Sequence, residues 1–437
     1  MATSKPEIAF IGLGAMGFGM ATHLLKQGYN VTGFDVWPPT LERFRDAGGA
    51  TATTPAETVR GRDYIVCMVA TAAQAQAVLL EGENPAIDAV SQGASLLLCS
   101  TVPCAYVQSL EAQLKERGRG DILFVDCPVS GGTSRAADGT LSIMAGASNA
   151  AIEKGRFLLQ EMADPAKLYI APSGIGGGSN LKMVHQVLAA VGILSTSEAM
   201  GFAQHLGLDL AYTLESVQGS DARAWMFGHR GPRILTEFKP VASAVTIILK
   251  DAGIITSEAA RMGFPTPMTS AAEQVFLSAV GRGYGADDDS SVIRLYTEGA
   301  VASTKESDNN EKKIALVKAL LKGIYLCAAA EALAFSKRCA LDLDQVFDLC
   351  INAAGGSAVF ETVGPQIVDT LRGTNGGGGG ESLQDIGTQL QEAVSEAQRL
   401  KVPLYLGSQA INLIRLALQK AQGKSLPSAE IVRVWDS

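Results

Sequence analysis

The spacing of apolar residues changes character partway along the chain. Through residues 6 to about 175, short apolar runs alternate with amphipathic stretches. The runs Glu7–Ile11, Asn30–Asp35, Tyr64–Met68, Ser95–Cys99, Leu123–Asp126 and Leu141–Ala145 have the length and composition of buried strands. That alternation predicts an α/β fold with a mostly parallel, doubly wound sheet, whose ligand loops lie past the carboxyl ends of its strands. After Gly174-Ile175-Gly176-Gly177-Gly178 the period lengthens. From Ser179 to about His205 apolar residues recur at helical spacing without strong breakers, which predicts one long buried helix. Helical patterns continue to about Thr297, and Thr304–Lys313 is charged and polar, as a linker would be.

The remainder repeats the helical segment before it. Glu198-Ala199-Met200-Gly201-Phe202-Ala203 matches Glu331-Ala332-Leu333-Ala334-Phe335-Ser336, an offset of 331 − 198 = 133. The same offset pairs Leu208-Asp209 with Leu341-Asp342, Phe227 with Phe360, and Gly231-Pro232 with Gly364-Pro365. Ser257-Glu258-Ala259 matches Ser395-Glu396-Ala397 and Pro265 matches Pro403, at 395 − 257 = 138. The five extra residues fall near Gly376–Gly380, which reads as a flexible surface loop. The expected organisation is a dinucleotide-binding domain over 1–175, a helical domain over 176–300, a linker over 301–313, and a second copy of the helical domain over 314–437.

Composition narrows the class. At 437 residues and 47% hydrophobic content, the chain can fill two or three domain cores. A net charge of −8 gives no nucleic-acid footprint. The seven cysteines are odd in number and lie mostly in apolar runs, so they read as buried thiols and not as a disulfide framework or metal site. Four scattered histidines give no metal spacing either. No apolar run approaches the ~20 residues that span a bilayer, and Met1–Pro6 does not resemble a secretory signal. These features predict a cytoplasmic protein without membrane or nucleic-acid partners.

The strongest chemical signal is Gly12-Leu13-Gly14-Ala15-Met16-Gly17, which follows a strand pattern and opens a helix pattern. In this G-x-G-x-x-G arrangement the first glycine allows the tight turn, the second lets a pyrophosphate approach the backbone, and the third permits close helix–strand packing. The phosphates would lie on the free N–H groups at the helix start. Asp35 ends the next strand pattern, where an acid binds the adenosine ribose hydroxyls and would repel a 2′-phosphate. NAD is therefore expected in preference to NADP.

Four blocks in order give the first 298 residues a resemblance to the β-hydroxyacid dehydrogenase family, which includes 3-hydroxyisobutyrate, tartronate-semialdehyde, 6-phosphogluconate and L-threonate dehydrogenases. They are Gly12–Gly17; Asp126-Cys127-Pro128-Val129-Ser130-Gly131-Gly132; Gly176-Gly177-Gly178-Ser179-Asn180-Leu181-Lys182; and Leu249-Lys250-Asp251. Lys182-Met183-Val184-His185-Gln186 and Trp225-Met226-Phe227 are similar to the L-threonate dehydrogenase branch, and the duplicated tail is similar to 6-phosphogluconate dehydrogenase. The resemblance implies a Rossmann-type domain followed by an all-α domain in two tandem copies, and oxidation of a small hydroxy acid by hydride transfer to the nicotinamide.

It also implies roles for particular residues. Lys182 matches the family's general acid/base. Desolvation early in an apolar helix, and a nicotinamide cation beside it, would lower its pKa toward the range useful for proton transfer; the plain alternative is a lysine snorkelling from the helix end. His185 and Gln186 follow at i+3 and i+4 on the same face, where they could hydrogen-bond substrate hydroxyls or orient the lysine. Ser130, Gly131 and Gly132 match the substrate-carboxylate loop. Val69, Ala70, Thr101 and Lys250 match cofactor contacts, although many relatives carry Pro where Ala70 stands; a salt bridge to a neighbour is the simpler reading of Lys250. His23, His205 and His229 have no companion motif and read as structural or surface residues.

The second copy does not keep this chemistry: Lys182, His185, Gln186 and Trp225 fall on Ala315, Lys318, Ala319 and Ala358, and Lys250 and Asp251 fall on Thr388 and Gln389. It reads as structural. Relatives with one helical domain bury it against a partner subunit, and the second copy could take that partner's place, leaving self-association open. Two other readings stand beside an L-threonate-like substrate: a 3-hydroxyisobutyrate or tartronate-semialdehyde dehydrogenase, and a non-catalytic NAD(P)-binding scaffold.

Overall fold

The apolar runs near the N-terminus become strands because both of their faces are covered. β1 (Glu7–Ile11), β2 (Asn30–Phe34), β3 (Ala50–Thr51), β4 (Tyr64–Cys67), β5 (Ser95–Leu98) and β6 (Leu123–Asp126) form one parallel sheet in the order β3-β2-β1-β4-β5-β6. Side chains alternate between its faces. Ile8 and Phe10 of β1 join one core cluster, while Ala9 and Ile11 join the other. The strand order reverses between β1 and β4, so the loops after these two strands border the crevice where such sheets bind ligands. This computed structural model describes residues 5–298, 310–374, 380–420 and 425–435.

One predicted strand belongs elsewhere. β7 (Val129–Ser130), β8 (Leu141–Ala145) and β9 (Ala163–Ile170) make a separate sheet in which β8 runs antiparallel to β7 and parallel to β9. Leu141–Ala145 is fully buried, which gave it the apolar run of a central strand, but its pairing is with these two short or polar neighbours.

The chain divides into two compact units, Met1–Lys182 and Met183–Ser437, and the division falls inside one continuous helix, Gly177–His205. By length and composition this helix could cross a bilayer, contrary to the expectation from the apolar runs. Its most apolar window is 94% buried within the protein, as in a core helix.

The helical repeat is exact in its element starts. Gly177–His205 and Asn310–Arg338 are both 29 residues long and begin 133 positions apart (310 − 177). Leu210–Gln218 pairs with Leu343–Ile351, and Trp225–Leu235 with Ala358–Arg372, at the same offset. Val245–Arg261 pairs with Leu383–Leu400, and Pro267–Gly281 with Tyr405–Lys420, at 383 − 245 = 138. Residues 310–313, expected in the linker, form the first turn of the second long helix: their charges are those of an exposed helix end. The rest of that linker, 301–309, and Gly376–Gly379 lie outside the described residues.

The matched sequence positions have matched physical jobs. Asp209 accepts from the backbone N–H of Tyr212, and Asp342 from those of Asp344 and Gln345, so both are N-caps. A Cβ on Gly231 would lie 2.5 Å from Leu214 Cδ1, and one on Gly364 would lie 2.7 Å from Phe347 Cε2; Leu214 and Phe347 are themselves counterparts. Phe227 and Phe360 are both core residues.

The two copies also contact each other reciprocally. Glu198 accepts from the N–H groups of Leu406 (3.1 Å) and Gly407 (2.9 Å), at the start of the last long helix of the second copy. Its counterpart Glu331 accepts from Met268 (2.8 Å) and Thr269 (2.9 Å), at the start of the corresponding helix of the first copy. Trp225 N–H donates to the Gly356 carbonyl (2.9 Å), and Ala358 N–H donates to the Arg223 carbonyl (3.0 Å). Ala224 bridges to Ser357, its own counterpart. When i touches j′ and i′ touches j, the two copies are related as subunits of an isologous dimer, with the pseudo-two-fold axis passing between Ala224 and Ser357.

Candidate active site

The residues that could hold a dinucleotide sit at the carboxyl end of β1. Gly12 has φ +95°, and a Cβ there would lie 2.3 Å from the Met68 carbonyl oxygen, so the crossing with β4 requires glycine. Gly14 differs: a Cβ would meet no protein atom within 4 Å. Nothing in the protein's own packing requires a glycine there, whereas a phosphate approaching the helix start at Ala15 would. Leu13 N–H donates to Asp35 Oδ2 at 2.7 Å, and Trp37 N–H donates to Oδ1 at 2.9 Å. Asp35 is thereby fixed beside the glycine turn with its carboxylate half-buried, and Val36 and Trp37 next to it are exposed. These residues fit a nicotinamide dinucleotide.

The neighbouring loops are ordered by short polar contacts. Val69 N–H donates to the buried Ser100 hydroxyl (2.9 Å), which ties the end of β4 to the Ser100-Thr101 turn. Ala70 N–H is held by Gln74 Oε1 (2.9 Å), so alanine serves where a proline has no N–H to give. Thr101 is half-buried and Ala70 exposed. Ser130 ends β7, and Gly131 and Gly132 follow with φ +141° and +71°. Two successive positive-φ glycines turn the backbone sharply at an exposed helix start.

The start of the first long helix is anchored by a residue whose role the sequence did not disclose. Asp126 is fully buried at the end of β6. Its Oδ2 accepts from Ser179 N–H and its Oδ1 from the Ser179 hydroxyl, both at 2.7 Å. Burial pushes its carboxyl up to about 7, against the pull of those bonds. Lys182 follows three residues after Ser179 on the same helix and is 6% exposed.

In the second unit three predicted residues join through a fourth. His185 Nδ1 lies 3.0 Å from Gln186 Oε1, Gln186 Nε2 donates to Asp251 Oδ2 at 2.5 Å, and Lys250 Nζ lies 3.0 Å from Asp251 Oδ1. Asp251 as a carboxylate only accepts, so the Gln186 amide nitrogen must face it and the amide oxygen must face His185, which places a proton on Nδ1. His185, Gln186 and Asp251 are all buried. The link between positions 186 and 251 crosses too much sequence for local reading; the available signal was an acid directly after Lys250.

Trp225 takes no part in that chain. It stacks on His229 (ring centroids 4.5 Å apart) beside a cavity of about 440 Å³ lined by both copies, including Arg223, Ser357 and Glu361. Burial and the charges of Arg230 and Arg233 push His229 down to about 4. His23 and His205 bond to the carbonyls of Glu161 (2.9 Å) and Tyr296 (2.8 Å), structural roles in keeping with their isolated sequence settings. All seven cysteines are buried.

A family profile described as the NAD binding domain of 6-phosphogluconate dehydrogenase matches residues 7–173. Another, described as the NAD-binding of NADP-dependent 3-hydroxyisobutyrate dehydrogenase, matches twice, over residues 176–296 and 312–435. An L-threonate dehydrogenase of Cupriavidus necator is 38% identical over 290 residues, 66% of this chain and 96% of that protein. A crystal structure of 3-hydroxyisobutyrate dehydrogenase from Salmonella typhimurium aligns with a TM-score of 0.61 at 32% identity, over 67% of this chain and 100% of the other. The fold of 6-phosphogluconate dehydrogenase from Plasmodium falciparum aligns over 96% of this chain and 94% of its own, with a TM-score of 0.69 at 15% identity.

Proposed function

The chain belongs to the β-hydroxyacid dehydrogenase family and is an NAD(P)-dependent dehydrogenase acting on CH–OH, and from that premise we propose that it oxidises a small polyhydroxylated acid of the L-threonate or aldonate class with NAD, in the cytoplasm. The observation that carries the substrate class is the bonded chain His185–Gln186–Asp251–Lys250. Amide, imidazole and ammonium groups held in one chain offer fixed hydrogen-bonding positions that a substrate with several hydroxyls can use and an apolar one cannot. Similarity to an L-threonate dehydrogenase supports the same class.

A bound nicotinamide supplies the hydride acceptor. Gly12, Leu13, Gly14, Ala15, Met16 and Gly17 would hold its pyrophosphate, with Val69, Ala70, Thr101 and Lys250 as further contacts. Asp35 would accept from the adenosine ribose hydroxyls and repel a 2′-phosphate, which favours NAD over NADP. The Ser130 hydroxyl and the backbone N–H groups of Gly131 and Gly132 would hold the substrate carboxylate. Neutral Lys182 takes the proton of the reacting hydroxyl onto Nζ; in the reverse direction its ammonium returns that proton to the carbonyl oxygen. Gln186 and His185 hydrogen-bond the remaining hydroxyls.

Production of NADH or NADPH at pH 8–9 tests this with L-threonate, D-erythronate, 3-hydroxyisobutyrate and D-glycerate, each with NAD and with NADP. The reading expects turnover of a polyhydroxylated acid, with NAD giving the higher kcat/KM. Preference for 3-hydroxyisobutyrate, the substrate in the name of the aligned Salmonella structure, would overturn the substrate class, and preference for NADP would overturn the role given to Asp35.

A further inference from the structure

The first long helix begins without a side chain of its own at the cap. Gly176 precedes it, and the Gly176 carbonyl already accepts from Asn180 N–H at 2.9 Å. The N–H groups of the first turn still need acceptors, and a glycine cap offers none from a side chain. Asp126, fifty-three positions upstream (179 − 126), fills that place through the Ser179 N–H and hydroxyl.

The fit around this bond is close. A Cβ on Gly178 would lie 2.5 Å from the Asp126 carbonyl oxygen and 2.3 Å from that of Met144, so the first turn rests directly on the ends of β6 and β8. Asp126 also exchanges both backbone hydrogen bonds with Gly146 (3.1 and 2.7 Å), which fixes the acid against the sheet. Four residues after Asp126 comes Ser130, and three residues after Ser179 comes Lys182. One buried carboxylate thus joins the strand that leads into the carboxylate loop to the helix that carries the base.

We propose that Asp126 is a positioning residue for catalysis: by capping the first turn through Ser179 it sets where Lys182 Nζ stands relative to the Ser130-Gly131-Gly132 loop. The inference rests on the dehydrogenase reading above. Asp126 is buried and its carboxylate is bonded to Ser179, so it acts through the helix. A buried anion at the helix start also complements the partial positive charge there, which holds the turn in place. A small displacement of a base suffices to slow proton transfer, since roughly 1 Å can cost about a hundredfold.

The test compares Asp126→Asn and Ser179→Ala with the wild-type enzyme. Asparagine keeps one oxygen to accept from the Ser179 N–H, removes the negative charge at the helix start, and replaces the other oxygen by an amide nitrogen that reverses the bond to the Ser179 hydroxyl. Ser179→Ala removes the hydroxyl bond and keeps the backbone one. kcat and KM are measured with the preferred acid, alongside the stoichiometry and affinity of NADH binding by fluorescence. Positioning predicts that Asp126→Asn lowers kcat at least tenfold and Ser179→Ala by about threefold, while the acid's KM and the stoichiometry and affinity of NADH binding stay within twofold of the wild-type values. Unchanged kcat at full NADH binding in both variants overturns the proposal. So does a kcat loss matched by an equal loss of NADH-binding sites, which would make Asp126 a residue of fold stability alone. If Asp126→Asn does not fold, Ser179→Ala decides by the same criteria. A wild-type enzyme inactive on every acid removes the dehydrogenase reading and this inference together, whereas an active wild type with both variants fully active removes only the inference.

Discussion

Gln186 is held at both ends of its amide, by His185 on one side and Asp251 on the other. A side chain fixed in this way presents a defined donor–acceptor pattern, which is what discrimination between hydroxylated acids needs. Asp251→Asn replaces one accepting oxygen by a donor and removes the charge beside Lys250. A hydrogen bond to a charged group contributes about 1.5–3 kcal/mol. kcat/KM for the preferred acid should therefore fall at least about tenfold in steady-state assays, and an unchanged value would show that the chain does not govern the site. At this scale the sequence was readable where a residue's local geometry follows from a contiguous motif, as with Gly12, whose positive φ and close crossing with β4 require glycine. It was silent where a residue acts through a distant partner: Asp126 meets Ser179, and Asp251 meets Gln186, only after the chain has folded.

Helix starts in the second unit carry a second lesson about distant caps. The helix Pro267–Gly281 has Thr266 at its cap with no side-chain bond to a backbone N–H of the first turn, and Glu331 serves instead. Burial pushes the carboxyls of Glu331 and Glu198 up to about 7, beyond the lowering effect of their donors. A carboxyl whose folded pKa exceeds its unfolded value gives stability that is fully present at low pH and lost as pH rises through the folded pKa. Thermal unfolding should thus show Tm falling as pH rises from about 5 to 8, with a smaller fall in Glu198→Gln/Glu331→Gln. That variant should also lose roughly 1–3 kcal/mol per site at pH 5, because an amide cannot accept at both positions. A variant that keeps the full pH-dependent fall would contradict this account. Among the strands, β1 and β6 were legible end to end because an apolar run buried on both faces leaves no ambiguity. β9 was hidden by Asp164, Pro165 and Lys167, which an edge strand tolerates. β3 and β7, at two residues each, are too short for any periodicity.

For the whole molecule, the duplication was visible because packing positions repeat: Glu198 and Glu331, the two capping aspartates, and the glycines at helix crossings. What could not be read was that each glutamate caps the other copy's helix. That reciprocity supports the idea that the second copy takes the place of a partner subunit. Removal of residues 305–437 would take the Leu406 and Gly407 donors from buried Glu198 and would remove Glu331 from the helix start at Met268 and Thr269. It would also uncover apolar surface that the second copy now shields. Sedimentation should find the truncated chain aggregated or newly dimeric, and a soluble, active monomer would contradict the idea.

The central claim is that this chain performs hydride-transfer chemistry with Lys182 as its acid/base, and the most direct measurement is NADH production by Lys182→Ala beside the wild type, at matched NADH-binding stoichiometry. The account predicts that the variant binds the cofactor as the wild type does and that kcat with the preferred acid falls by about 10² or more, the usual share of a positioned general acid/base. Turnover within a few-fold of wild type in Lys182→Ala would contradict it.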